Sequence, residues 1–172
     1  MKLTLKRNLI EFYDYVSVIP LFFYIGLIYQ SLCQREIRPF LFAIYILLSD
    51  IFVSLLKRFP YPKNSPFYIH TRRPKGASRC DYLSRNTEYS DESPGFPSGH
   101  MTTTALFSTY QMMNHPTLNY IIIHGLLVIV MGMARYYKKC HTLLQIGTGT
   151  LLGIGFGLLY VFGETYFNGH YT

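Results

Sequence analysis

Charge is scarce in this chain: Asp, Glu, Lys and Arg make up 15% of its 172 residues, against 49% hydrophobic ones. Soluble domains carry about a quarter charged residues, so an ordinary water-facing surface is excluded. Cysteine is nearly absent, and Cys33, Cys80 and Cys140 form no CxxC and no metal-ligand spacing. No carboxylate–histidine cluster of metal-ligand type is evident either, so no metal and no cofactor is expected. There is no internal repeat and no low-complexity tract. No cleavable signal peptide is evident, because the first apolar run is long and no small-residue cleavage site clearly follows it. That run reads as a retained first helix.

What the chain has instead is apolar blocks. Crossing a bilayer takes about 17–25 residues, and five stretches are candidates: Tyr15–Cys33, Pro39–Leu56, Ser98–Met113, Asn119–Met133 and Leu143–Gly163. The second and fifth are the clearest. The third is the weakest, with several hydroxyl residues and a Gln, and singly it reads as well as a buried helix. The fold class that follows is all-α, a polytopic transmembrane bundle of about five to six helices. One domain accounts for residues 1–172, with a core at 50–165. Tyr and Phe gather near the predicted span ends, where aromatic rings favour the membrane interface. The glycines of the last span, Gly147, Gly149, Gly153, Gly155 and Gly157, suit close helix packing.

The basic residues are unevenly placed. With five spans, the N-terminus, the Lys57–Phe96 loop and the Arg135–Thr142 turn share one membrane face. Of the sixteen Lys and Arg residues, only Arg35 and Arg38 lie on the other. The positive-inside rule makes the rich face cytoplasmic, but a site for an anionic substrate produces the same excess. Nucleic acid is not an expected partner, since the charges flank membrane spans without a recognition motif. Cys80 and Cys140 fall on the basic face, where a disulfide can form if that face is oxidising. Asp81, Glu88, Asp91 and Glu92 read as solvated loop charges.

The same face collects the residues that could do chemistry. The second span runs into Lys57, the loop carries Arg72-Arg73-Pro74, and Pro97-Ser98-Gly99-His100 opens the third span. The hairpin of spans three and four returns the chain to Arg135, with His141 six residues on. Arg forks match phosphate oxygens in pairs, and Lys adds a point charge. A helix start offers unpaired backbone N–H groups and a positive dipole end. Two histidines supply a nucleophile and a proton donor. Singly each piece has a plainer reading: Ser98 as a helix cap, a histidine as a polar interface anchor, Arg72-Arg73 as a basic loop. Asp50, two turns before Lys57, is an intramembrane carboxylate suited to supporting a basic residue or pairing with another helix.

Arg73-Pro74, Pro97-Ser98-Gly99-His100 and Arg135-x5-His141 together resemble the three-part signature of the type 2 phosphatidic acid phosphatase superfamily, over roughly Lys57 to Gly147. The resemblance implies that His141 attacks phosphorus to form a phosphohistidine and that His100 protonates the leaving oxygen. It implies that Arg73, Arg135, a lysine, Ser98 and the Gly99 amide hold the phosphoryl group without a metal. By analogy with relatives, the active face is luminal or extracytoplasmic, in the endoplasmic reticulum or plasma membrane.

Three positions depart from that pattern. The family's lysine precedes the arginine by seven residues, where this chain has Pro66; Lys57 is the choice to replace it, and Lys63 the rival. The serine before the third-motif arginine is Ala134. The acid four residues after the nucleophile is Gln145, which can orient the imidazole but brings no negative charge. His141-Thr142-x-x-Gln145 is similar to the dolichyl-diphosphatase branch, which implies an active enzyme and favours a polyprenyl diphosphate; Gln145→Asp is expected to keep or raise activity. The expected partners are the bilayer and a membrane lipid bearing a phosphate or diphosphate, phosphatidate-like or polyprenyl. The alternative is a non-catalytic scaffold or transport component that binds lipid phosphates.

Overall fold

The computed structural model describes residues 2–59, 61–77, 79–80 and 92–169, with side chains from 8 to 167. Asp81, Glu88 and Asp91 lie outside the described residues. The helices are α1 (Lys2–Gln34), α2 (Ile37–Arg58), α3 (Tyr68–Thr71), α4 (Gly99–Asn114), α5 (Leu118–Tyr137) and α6 (Leu143–Gly169), with no strand among the described residues. Five of them coincide with the five apolar blocks, and α3 is a single turn within the long polar loop. The chain is an all-α membrane protein.

Among the described residues, four helices are long and apolar enough to cross a membrane: α1 over Asn8–Gln34, α2, α5, and α6 over Leu143–Phe167. The third block is the exception. Helix α4 has 16 residues, about 24 Å at 1.5 Å per residue, which is short of a typical hydrocarbon core. It runs through the middle of the bundle, packed on α6, α5, α2 and α1. His100 to Leu106, Ser108 and Thr109 are all buried. Helix carbonyls take up two of its hydroxyl groups, while Thr104 Oγ1 and Ser108 Oγ are buried without a hydrogen-bond partner. Thr102 Oγ1 donates to the Ser98 carbonyl at 3.1 Å, and Thr103 Oγ1 lies 3.1 Å from the Gly99 carbonyl.

The closest helix pair is α4 with α6, and glycine spacing explains it. A Cβ on Gly149 would fall 2.5 Å from the Ser98 carbonyl oxygen and 3.1 Å from Met101 Cβ. One on Gly153 would meet the Thr102 carbonyl, Ala105 Cβ at 2.7 Å and Leu106 N at 2.9 Å. One on Gly157 would sit 2.7 Å from Thr109 Cβ. Recurring every fourth residue, these glycines form one stripe along α6 on which α4 lies at backbone distance. Gly147 and Gly155 have nothing within 4 Å of such a carbon and belong to the opposite side.

Aromatic side chains are not confined to the interface. Phe42 is wholly buried and stacks on Tyr110 at 3.8 Å between centroids, and Phe23 stacks on Phe107 at 4.0 Å. These pairs tie α1 and α2 to α4, because flat rings fill the gaps that the small residues of α4 leave. Tyr15, Tyr29 and Phe162 do face outward.

Gly153→Leu is expected to abolish folding in detergent, because a side chain there must displace backbone of α4. Gly155→Leu should leave the melting temperature within a few degrees. Thermal unfolding of the two variants side by side checks the assignment of faces.

Candidate active site

The site is built where the start of α4 meets the start of α6. Ser98 is the N-cap of α4, in extended conformation, and its N–H donates to the Gln145 carbonyl at 3.1 Å. Its hydroxyl makes no capping bond and is buried without a partner. Helix starts expose N–H groups, so this end of α4 presents amides and a hydroxyl to the same space. Helix α2 ends beside it: a Cβ on Gly99 would lie 3.4 Å from Lys57 Nζ. Absence of a side chain at Gly99 lets the ammonium approach the helix start. Lys63 is elsewhere, on the surface, 3.6 Å from Glu92 and largely exposed.

The long loop closes on itself to deliver Arg73. Arg73 N–H donates to the Ser93 carbonyl at 3.0 Å, and Gly95 N–H to the Thr71 carbonyl at 2.8 Å. These bonds flank the antiparallel bridge between Arg72 and Pro94. The ribbon sets Arg73 next to the turn that begins α4, and Arg73 Nη1 donates to the Cys140 carbonyl at 3.3 Å. Arg72 faces the other way, its guanidinium 4.3 Å above the Tyr68 ring and bonded to the Glu92 carbonyl.

Arg135 occupies the last turn of α5 and is fully buried. That helix ends in a paired motif: Cys140 N–H bonds the Arg135 carbonyl at 3.0 Å and Lys139 N–H the Tyr136 carbonyl at 2.9 Å. Lys139 takes the left-handed conformation, φ 55°, where glycine is the usual occupant. His141 follows directly, its own N–H 3.3 Å from the same Arg135 carbonyl. The disulfide Cys80–Cys140 joins this turn to the polar loop. Arg135 Nη1 donates to the Cys80 carbonyl at 2.9 Å, so the two arginines and the two half-cystines form one assembly.

Gln145 organises the histidine. Its Nε2 lies 2.8 Å from the His70 carbonyl and 2.7 Å from the Arg72 carbonyl. Both neighbours only accept, which fixes Nε2 as the amide nitrogen and turns Oε1 toward His141. Oε1 accepts from Thr142 N–H at 3.2 Å and lies 3.1 Å from His141 Nδ1. Nδ1 must therefore carry the proton, and Nε2 keeps its lone pair. Thr142 Oγ1 in turn accepts Gln145 N–H at 3.3 Å. Thr142-x-x-Gln145 is thus a capping box that starts α6 and orients His141 at once. Burial, then Arg73, Lys57 and Arg135, hold the His141 imidazole well below its ordinary value. His100, buried in the first turn of α4, is within electrostatic reach of Arg135, His141, Lys57 and Lys138.

Asp50 lies among the helices. Its oxygens accept from Tyr24 OH at 2.6 Å and Thr103 Oγ1 at 2.5 Å, joining α2 to α1 and α4. Three participants carried no signal in motif spacing. Asp14 accepts from Lys138 at 2.8 Å and from Arg79 at 3.4 Å; a carboxylate inside an apolar run is the mark that could have found it. Ser17 accepts from Arg135 and Lys138. Gly95 is the third: a Cβ there would lie 2.9 Å from Gln145 Oε1 and 3.0 Å from Arg73 Cγ. A cavity of about 700 Å³ opens against His141, with His70, Lys75 and Lys139 on it and Tyr136, Tyr137 and Leu143 as its apolar side.

Buried and half-buried cations gather around a histidine whose Nε2 keeps its lone pair, in a bundle of apolar helices, a setting that suits an anion. Residues 38–167, well over half of the chain, match the PAP2 superfamily, and the chain belongs to that family. Membership supports a phosphatase-type lipid phosphate hydrolase in general. No curated protein and no solved structure matches the chain.

Two outcomes are expected from this geometry. Since the folded imidazole of His141 is depressed, it stays neutral as pH falls below about 6.5, the ordinary histidine value. The acid limb of kcat/KM, with substrate ionisation measured separately, should place the titration of His141 below pH 6.5; a limb above 7 contradicts it. The same depression implies that this group's share of stability is complete above pH 6.5 and declines as pH falls through that value toward the folded one. The second outcome reverses the expectation for Gln145→Asp. An aspartate offers no donor to the carbonyls of His70 and Arg72, so kcat should fall by about ten- to a hundredfold. Steady-state kinetics of that variant against wild type decides the matter.

Proposed function

We propose that this protein hydrolyses a phosphomonoester or diphosphate of a membrane lipid, phosphatidate-like or polyprenyl/dolichyl, through a phosphohistidine intermediate and without a metal. The observation that carries the reading is the Gln145 amide, which leaves His141 Nε2 unprotonated beside Arg73, Arg135 and Lys57. In the reaction, Nε2 attacks phosphorus in line, forming the P–N bond as the P–O bond to the lipid breaks. Lys57, Arg73, Arg135, the Ser98 hydroxyl and the Gly99 amide hold the three remaining oxygens, whose charge they complement. An incoming dianion offsets the cations around His100 and lets its ring take up a proton, which passes to the leaving oxygen. Water, deprotonated by His100, then attacks phosphorus, releasing inorganic phosphate and restoring His141. The lipid tail stays in the bilayer, against Tyr136, Tyr137 and Leu143.

The disulfide supports placing the active face in an oxidising compartment, luminal or extracytoplasmic. The excess of basic residues on that face then answers to the substrate rather than to the positive-inside rule.

The test is phosphate release by the detergent-solubilised protein, with EDTA present, from phosphatidate, a sphingoid-base phosphate and a polyprenyl diphosphate. Release from at least one is expected, and His141→Ala should lower it by at least about a thousandfold while remaining folded. Release from none of them favours the lipid-phosphate-binding scaffold.

A further inference from the structure

Helix α1 precedes the segment that matches the family, which begins at residue 38, yet it reaches the buried arginine of the site. Ser17 is itself buried, and its hydroxyl has a fixed polarity. Oγ donates to the Tyr13 carbonyl at 2.7 Å, which uses its one proton. Both lone pairs then face cations: Arg135 Nη2 at 2.6 Å and Lys138 Nζ at 3.2 Å. One turn earlier, Asp14 takes Lys138 at 2.8 Å and Arg79 at 3.4 Å. Positions 14 and 17 share a face of α1, so one stripe of that helix meets both Arg135 and Lys138 at the end of α5.

The two contacts do different things. Asp14 supplies one negative charge opposite Lys138, which spares Arg135 the full repulsion of a neighbouring ammonium. Ser17 holds the guanidinium without neutralising it. A carboxylate at position 17 would bind the arginine more tightly and cancel the charge that an anion needs, whereas a hydroxyl fixes direction alone. The second acceptor, the Cys80 carbonyl at 2.9 Å, is neutral as well. Arg135 is therefore aimed by uncharged oxygens from two sides.

We propose that Ser17 of α1 is a positioning residue for phosphate binding: it acts through Arg135, holding the guanidinium where it receives a phosphoryl group, with Asp14 compensating the adjacent Lys138. The proposal rests on the reading of Arg135 as a phosphate ligand. Its test measures the dissociation constant of inorganic phosphate by 31P NMR titration of the full chain in detergent micelles, independently of turnover. Ser17→Ala should raise that constant about tenfold, Ser17→Thr should stay within about twofold of wild type because it keeps the oxygen, and Arg135→Ala should bind most weakly. A purely structural role reduces the number of binding-competent molecules and leaves their dissociation constant unchanged; that result for Ser17→Ala overturns the proposal. So does an Arg135→Ala variant that binds phosphate like wild type. A wild type that binds no phosphate overturns both this proposal and the phosphatase reading. The expected pattern in a protein that turns over no lipid phosphate sustains the role of Ser17 and refutes only the enzyme.

Discussion

Everything at the site depends on how closely α4 approaches α6. Lipid offers no hydrophobic drive for two apolar helices to associate, so contact has to come from packing and from backbone proximity. Gly149, Gly153 and Gly157 provide it, each lying where any side chain would run into the backbone or a Cβ of α4. The first of them sits against Ser98 itself. The same approach that joins the helices brings Ser98 N–H to the Gln145 carbonyl, and with it the start of α4 to the start of α6. Two helix N-termini, both positive dipole ends, converge on one space. Backbone geometry makes that space attractive to an anion before any charged side chain is counted.

The charged side chains then present a difficulty that the surroundings have to solve. A fully buried guanidinium is costly to desolvate, and Arg135 lies among Lys138, Lys57 and Arg73. Neutral oxygens accept from the arginines: Cys80 and Ser17 for Arg135, Cys140 for Arg73. Hydrogen bonds of this kind offset part of the desolvation and leave the positive charge intact. The disulfide matters in this respect because both of its residues offer their carbonyls to the arginines. Lys138 has its own carboxylate in Asp14, and burial still pulls its ammonium below the ordinary lysine value.

The helices were legible because the bilayer imposes a length and an apolar content on each, and α1, α2, α5 and α6 satisfy both. Helix α4 departed from that rule for a physical reason: enclosed by other helices, it meets protein and not lipid, so its threonines and serines carry no lipid penalty. Motif spacing led to Arg73, Ser98, His100, Arg135 and His141 because they lie within a few residues of span ends that share a face. Lys57 and Lys63 were separable only by position in the fold, one at the end of α2 and the other paired with Glu92 at the surface. Ser17 and Asp14 were not legible. Apart from Arg79, their partners are more than a hundred residues away, and a serine in an apolar helix ordinarily bonds its own preceding turn, as Ser17 also does with Tyr13.

Gln145 shows why a missing charge is a poor guide to a missing function. Set against an acid, the amide has lost a negative charge beside the imidazole and looks like a weakened residue. In place, it does three things that an acid could not do together. Its oxygen takes the Nδ1 proton of His141 and caps the Thr142 amide. Its nitrogen holds the carbonyls of His70 and Arg72, and so the ribbon that carries Arg73. An acidic oxygen in that position would face those two carbonyls without a proton to share, and such a contact is repulsive. The histidine loses electrostatic support for its cationic form, which matters less where neighbouring cations already keep the ring neutral. The amide thus links His141 to the ribbon that carries Arg73 through a single side chain, which an acid could not do.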